Sequence, residues 1–146
     1  MQPTPREAQP RVADVRLRGG AGRLSGRAYW PEPSRRGDVP ALLVFLHSAE
    51  VEAEPICRDL CGRAGVVVLA VSGHPVLALP DAAAALAWTA DHAGELDADP
   101  ARLFVAGDLA GAVARQAVRD GWPPVRELAG NDPDRMVTEL LAAHPA

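Results

Sequence analysis

Two kinds of hydrophobic pattern divide this chain. Asp14-Val15-Arg16-Leu17-Arg18 alternates polar and apolar, Gly19-Gly20-Ala21-Gly22 supplies a turn, and 23–30 alternates again, which predicts a β-hairpin. Pro31, Pro33 and Pro40 end the hairpin and carry a polar connection. The next three apolar runs, 41–46, 66–71 and 102–106, are continuous, the mark of strands covered on both faces. Between them lie 54–62 and 81–93, helical in pattern and long enough to act as crossovers. Strand and helix in alternation predict a parallel, right-handed βαβ sheet, an α/β fold with a hairpin at its start.

Asp81 stands before an alanine-rich run as an N-cap, and Gly94 closes that helix. A further small-residue helix is expected over 112–118. A last one is expected over 132–143, where Asp132 or Asn131 caps and Met136, Leu140 and Leu141 share a stripe. Nothing after Ala106 reads as another strand, because 123–128 is short and begins Pro123-Pro124. Residues 1–12, rich in Pro, Gln and Arg, are expected to form a loose arm before a single domain over 13–146.

Composition narrows the chemistry. With 146 residues and 48% hydrophobic side chains, the chain suffices for one core. No apolar run reaches the roughly 18 to 20 residues of a membrane span. All fifteen basic residues are Arg, so Schiff-base chemistry and a phosphate-binding P-loop lysine are excluded. A net charge of −4, with no basic run longer than Arg35-Arg36, gives no footprint for nucleic acid. The start MQPTPREAQP lacks a secretory signal pattern, and a cytoplasmic location is expected. Cys57 and Cys61, four apart on one helical face, are expected to pack in the core. His47, His74, His92 and His144 show no metal-ligand spacing with them or with one another, so neither metal nor cofactor is expected.

The run 103–106 leads into Gly107-Asp108-Leu109-Ala110-Gly111 and then a helix. A dinucleotide fingerprint would need glycine where Leu109 stands, because the pyrophosphate must approach the backbone there. The arrangement instead resembles the nucleophile elbow of the hormone-sensitive-lipase-like branch of the α/β-hydrolases, commonly G-D-S-A-G. The resemblance extends to Asp99-Pro100-Ala101-Arg102, which matches the branch's D-P-x-R lead-in to the strand. It also extends to Phe45-Leu46-His47-Ser48-Ala49-Glu50, which lies where the branch places H-G-G-G. It covers roughly 12–119.

The resemblance implies a truncated α/β-hydrolase sheet: the hairpin plus three parallel strands with flanking helices, 41–46 standing between 66–71 and 103–106. It also implies that the catalytic parts are degenerate. Leu109 stands where the branch has its serine and offers no nucleophilic atom, and no Ser or Cys follows it. His47 is kept, but Ser48, Ala49 and Glu50 replace the three glycines of the oxyanion loop, and Glu50 adds charge of the wrong sign. His144 is the one histidine after the elbow and is not expected to act as a base. Freed of catalysis, Leu109 is expected to relax from the strained elbow conformation and turn its side chain into the core. The functional expectation is a non-catalytic relative of a carboxylesterase or lipase, either partner-binding or a relic. The alternative is an ester hydrolase with a non-standard nucleophile or one completed by a second polypeptide. A homodimer or a protein partner is expected through the exposed strand edge 103–106.

Overall fold

Strand β1 (Arg11–Arg16) and β2 (Arg23–Trp30) form the antiparallel hairpin, with Arg11 opposite Trp30 and Arg16 opposite Ser25. The computed structural model describes residues 11–17, 23–32, 38–48, 52–74, 77–128, 130 and 132–143; the hairpin turn at 19–22 lies outside them. Arg11 and Val12, expected in a loose arm, belong to β1, because Arg16, Val15 and their neighbours continue the pairing outward. Arg11 also lies over the Trp30 ring, 4.4 Å from its centroid.

The three apolar runs become β3 (Leu42–Ser48), β4 (Val67–His74) and β5 (Leu103–Gly107). Helices α1 (Ala53–Ala64) and α2 (Leu79–Asp91) make the crossovers. After β5 come α3 (Ala110–Asp120), a two-residue strand β6 (Arg126–Glu127) and α4 (Pro133–Ala142). Among the described residues the strands form one sheet in the order β1-β2-β4-β3-β5-β6. β3 is central and parallel to both β4 and β5, while β2 pairs antiparallel to β4.

Period-2 side-chain alternation divides the core. Leu42, Val44, Leu46, Val67, Leu69, Val71 and Val105 pack under α2 and α3 with Ala82, Ala85, Leu86 and Val113. Leu43, Phe45, Val68, Ala70 and Phe104 face α1 and α4 and meet Leu60, Met136 and Leu140. Both faces of the central strands are thus covered, which accounts for their unbroken apolarity.

Two boundary expectations change, both at α2, and one at α4 is met. α2 begins at Leu79 with Ala78 as N-cap, because Pro80 fits a first turn without needing its missing N–H; Asp81 lies inside that turn, 2% exposed. α2 ends at Asp91, and Gly94 lies in the turns that follow, where Glu95 and Leu96 donate to the carbonyl of His92. For α4, Asp132 is the cap, its Oδ1 accepting from the N–H of Asp134 at 3.2 Å.

The largest correction is β6. Phe104 pairs with Arg126 and Val105 with Glu127, and the N–H of Leu128 donates to the Val105 carbonyl at 2.9 Å. The prolines at 123 and 124 lie ahead of the paired residues, so they remove no donor from the ladder. The edge 103–106, expected to be open, is therefore occupied over two residues, and the outer edge of the sheet passes to β6.

Candidate functional site

The elbow is built from its lead-in. Asp99 Oδ1 accepts from the N–H of Ala101 at 2.9 Å, and Asp99 Oδ2 accepts from Arg102 Nε at 3.1 Å. Arg102 also donates through Nη2 to the Val39 carbonyl. These bonds hold the turn from which β5 starts beside β3.

At the far end of β5 the chain reverses within three residues. Gly107 has φ +93°, and a Cβ there would stand 2.0 Å from the carbonyl oxygen of Leu46, so only glycine fits. Asp108 donates its N–H to that same carbonyl at 2.8 Å. Leu109 follows with φ 64° and ψ 4° and caps α3, its carbonyl accepting from Val113 at 2.9 Å. Its side chain is 38% exposed.

The expectation that Leu109 relaxes into the core is therefore wrong. A left-handed L-residue costs about 1–2 kcal/mol. That cost is outweighed because the strand end, the Leu46 carbonyl and the buried Ala110 and Val113 together fix the path of the turn. Ala110 lies in the core, and a Cβ on Gly111 would meet Glu127 Oε2 at 3.0 Å and Arg115 Nη1 at 3.2 Å, so small residues at both positions let α3 approach β6.

Leu46 pairs with Gly107, so His47 and Ser48 end β3 beside the elbow, where the resemblance places the oxyanion loop. His47 Nδ1 is 2.8 Å from the Ser48 carbonyl oxygen, and its ring stacks on Phe45 at 5.9 Å. Ala49 and Glu50 lie outside the described residues, as does His144. His74 closes β4. His92 is tied to its own helix, with Nδ1 2.7 Å from the Trp88 carbonyl oxygen and its ring stacked on Trp88.

Cys57 and Cys61 are both free and buried on α1. Burial pushes each thiol up to about 12, with the neighbouring Cys61 and Glu54 adding to the effect at Cys57. Such thiols do not supply thiolate at neutral pH, and core packing is their role. Among the described residues no group of three His, Cys, Asp or Glu side chains could hold a metal ion.

One feature is invisible in the sequence patterns. Pairing of β2 with β4, and of β4 with β3, places Ser25, Ser72 and His47 in one row, above a second row of Asp14, Arg27 and Ala70. These residues with Gly26, Tyr29, Ala53 and Glu54 line a cleft of about 220 Å³ beneath the start of α1. A serine in the alternating strand β2 and another just past the apolar run 66–71 were the available signals, but only the register shows that the two meet.

This combination of strand order, glycine-dependent turn and left-handed residue at the head of α3 defines an α/β-hydrolase frame. Residues 44–129 match the family described as alpha/beta hydrolase fold, and the chain belongs to it. It is 35% identical over 132 residues to Esterase LipI of Mycobacterium tuberculosis, covering 79% of this chain and 41% of that protein. It is 36% identical over 116 residues to Carboxylesterase NlhH of the same organism, covering 68% of this chain and 36% of NlhH. A solved structure of a hyperthermophilic esterase from the archaeon Pyrobaculum calidifontis superimposes with a TM-score of 0.66 at 30% identity, over 77% of this chain and 42% of that one. The chain thus spans about two-fifths of the length of these relatives. No helix among the described residues is long and apolar enough to cross a membrane.

Proposed function

We propose that this chain is a non-catalytic member of the family that binds a protein partner instead of cleaving an ester. The observation that carries the reading is Leu109. It occupies the left-handed position at the elbow and is solvent-accessible, yet its side chain has no atom able to attack a carbonyl carbon. Ser48 in place of a loop glycine supports the same reading, since an L-residue does not readily turn its N–H toward a developing oxyanion.

Support for a partner comes from the sheet edge. β6 is short and both its residues are exposed, so its outer side offers backbone groups to another strand. Val118 and Trp122, near the end of α3, add apolar surface at 79% and 47% exposure. Association is assigned to this outer edge, with a second copy or a different chain as occupant.

The names of the relatives, Esterase LipI and Carboxylesterase NlhH, support a second reading: ester hydrolysis through another nucleophile or with parts supplied by a second polypeptide. Steady-state hydrolysis of short p-nitrophenyl acyl esters separates the two. The expected result is no turnover above the uncatalysed rate, both for the wild type and for Leu109→Ser, because a serine without a base remains a weak nucleophile. Turnover by the wild type overturns the first reading. For the partner, light scattering coupled to size exclusion is expected to give a mass above the monomer, and a monomer throughout the micromolar range removes self-association.

A further inference from the structure

We infer that the cleft under α1 binds a small uncharged polyol through Ser25, Ser72 and the Nε2 atom of His47. None of residues 107–111 lines it, so the site is separate from the elbow.

The volume has a plain origin. Ala70 and Ala53 supply only a methyl group where the neighbouring positions Phe45 and Tyr29 are large. Ser25 stands opposite Ser72, and Ser72 opposite His47, so three polar side chains converge on one side of that space across β2, β4 and β3.

Hydrogen bonding selects the ligand. The Ser48 carbonyl can only accept, so His47 Nδ1, 2.8 Å away, carries a proton, and Nε2 is the ring nitrogen left for a ligand. The hydroxyls of Ser25 and Ser72 can donate or accept and have no hydrogen-bond partner among the described residues. Arg27 is already engaged, donating from Nε to Asp14 at 3.2 Å and from Nη1 to Glu54 at 3.3 Å.

Asp14 and Glu54 are paired with the two guanidiniums of Arg27 and Arg58, so an anionic ligand finds no free cation there. A cationic one would have to displace Arg27. An uncharged molecule with several O–H groups satisfies all three free partners at once. At about 30 Å³ per water the cleft holds about seven waters, the size of a polyol of about three to five carbons.

The test is a titration of the ¹⁵N-labelled full chain with glycerol and with ribose, read from backbone amide shifts. Saturable shifts centred on Ser25, Gly26, His47 and Ser72 are expected, with a Kd on the order of a millimolar for so small a ligand. Acetate and methylammonium are expected to give none. Ala70→Leu, which fills the cleft, abolishes the shifts, and Ser72→Ala weakens binding about tenfold, as loss of one hydrogen bond does. If Ala70→Leu does not fold, Ser72→Ala decides alone. The inference is overturned by the absence of saturable shifts, by equal binding of acetate or methylammonium, or by wild-type affinity in the folded variants.

Discussion

Replacing Leu109 by alanine and by glycine, and comparing the two variants with each other, measures the backbone strain of the elbow. Leu109 has φ 64°, and its side chain is partly buried. Both substitutions remove the same burial, a fraction of the roughly 1.5–3 kcal/mol of a fully buried leucine. Both variants are therefore expected to be less stable than the wild type. They differ in the backbone. Alanine keeps the left-handed cost of about 1–2 kcal/mol, which glycine does not carry. Glycine carries in exchange about 0.5–1 kcal/mol of extra entropy loss on folding. The difference leaves Leu109→Gly more stable than Leu109→Ala by about 0.5–1 kcal/mol, the reverse of the order in a helix interior. Ala112, inside α3, supplies that ordinary order: Ala112→Gly is expected to lose about 1 kcal/mol. Urea unfolding followed by circular dichroism, at constant m-value, gives all four stabilities. If Leu109→Ala proves the more stable of the pair, φ at this residue is negative in solution and the retained-elbow reasoning fails.

Three further outcomes follow from the same geometry. Gly107→Ala places a methyl group 2.0 Å from the Leu46 carbonyl oxygen and is expected to cost more than about 3 kcal/mol or prevent folding, measured by the same urea titration. Removing the α4 cap by Asp132→Ala is expected to cost about 0.5–2 kcal/mol, seen as a lower midpoint with unchanged far-ultraviolet signal. The folded chain holds the protons of Cys57 and Cys61 more tightly than the unfolded chain, whose thiols titrate near 9.0. Their contribution to stability is thus full below pH 9 and is lost as pH rises from there toward about 12. Tyr29, raised mainly by burial, acts in the same direction. The double variant Cys57→Ala, Cys61→Ala should show a shallower loss of stability between pH 9 and 11, and an unchanged slope would contradict the assignment.

The central strands were legible because continuous apolarity over 41–46, 66–71 and 102–106 has few explanations other than burial on both faces. The hairpin was legible through alternation around a glycine turn. β6 was not, since two exposed residues, Arg126 and Glu127, carry no hydrophobic period and are a strand only because Phe104 and Val105 present a ladder to them. At the candidate site the residues of the elbow are legible in the sequence, but the left-handed conformation of Leu109 is not. What burial of the leucine side chain would gain is outweighed by the path that Gly107 and the Leu46 carbonyl impose on the backbone. The cleft under α1 depends on which residue of β2 faces which residue of β4, a pairing across more than forty residues that local pattern cannot supply.

Labelling with a fluorophosphonate probe tests most directly the claim that the hydrolase frame persists without its nucleophile. Folded wild-type protein is treated with the probe and read by intact mass, with peptide mapping of any adduct. No adduct above that formed on the urea-unfolded chain is the predicted result, since Leu109 cannot react and no serine is paired with a base at the elbow. A rapid, stoichiometric adduct on Ser48, Ser72 or any other serine of the folded chain would contradict the account and establish an active nucleophile in this protein.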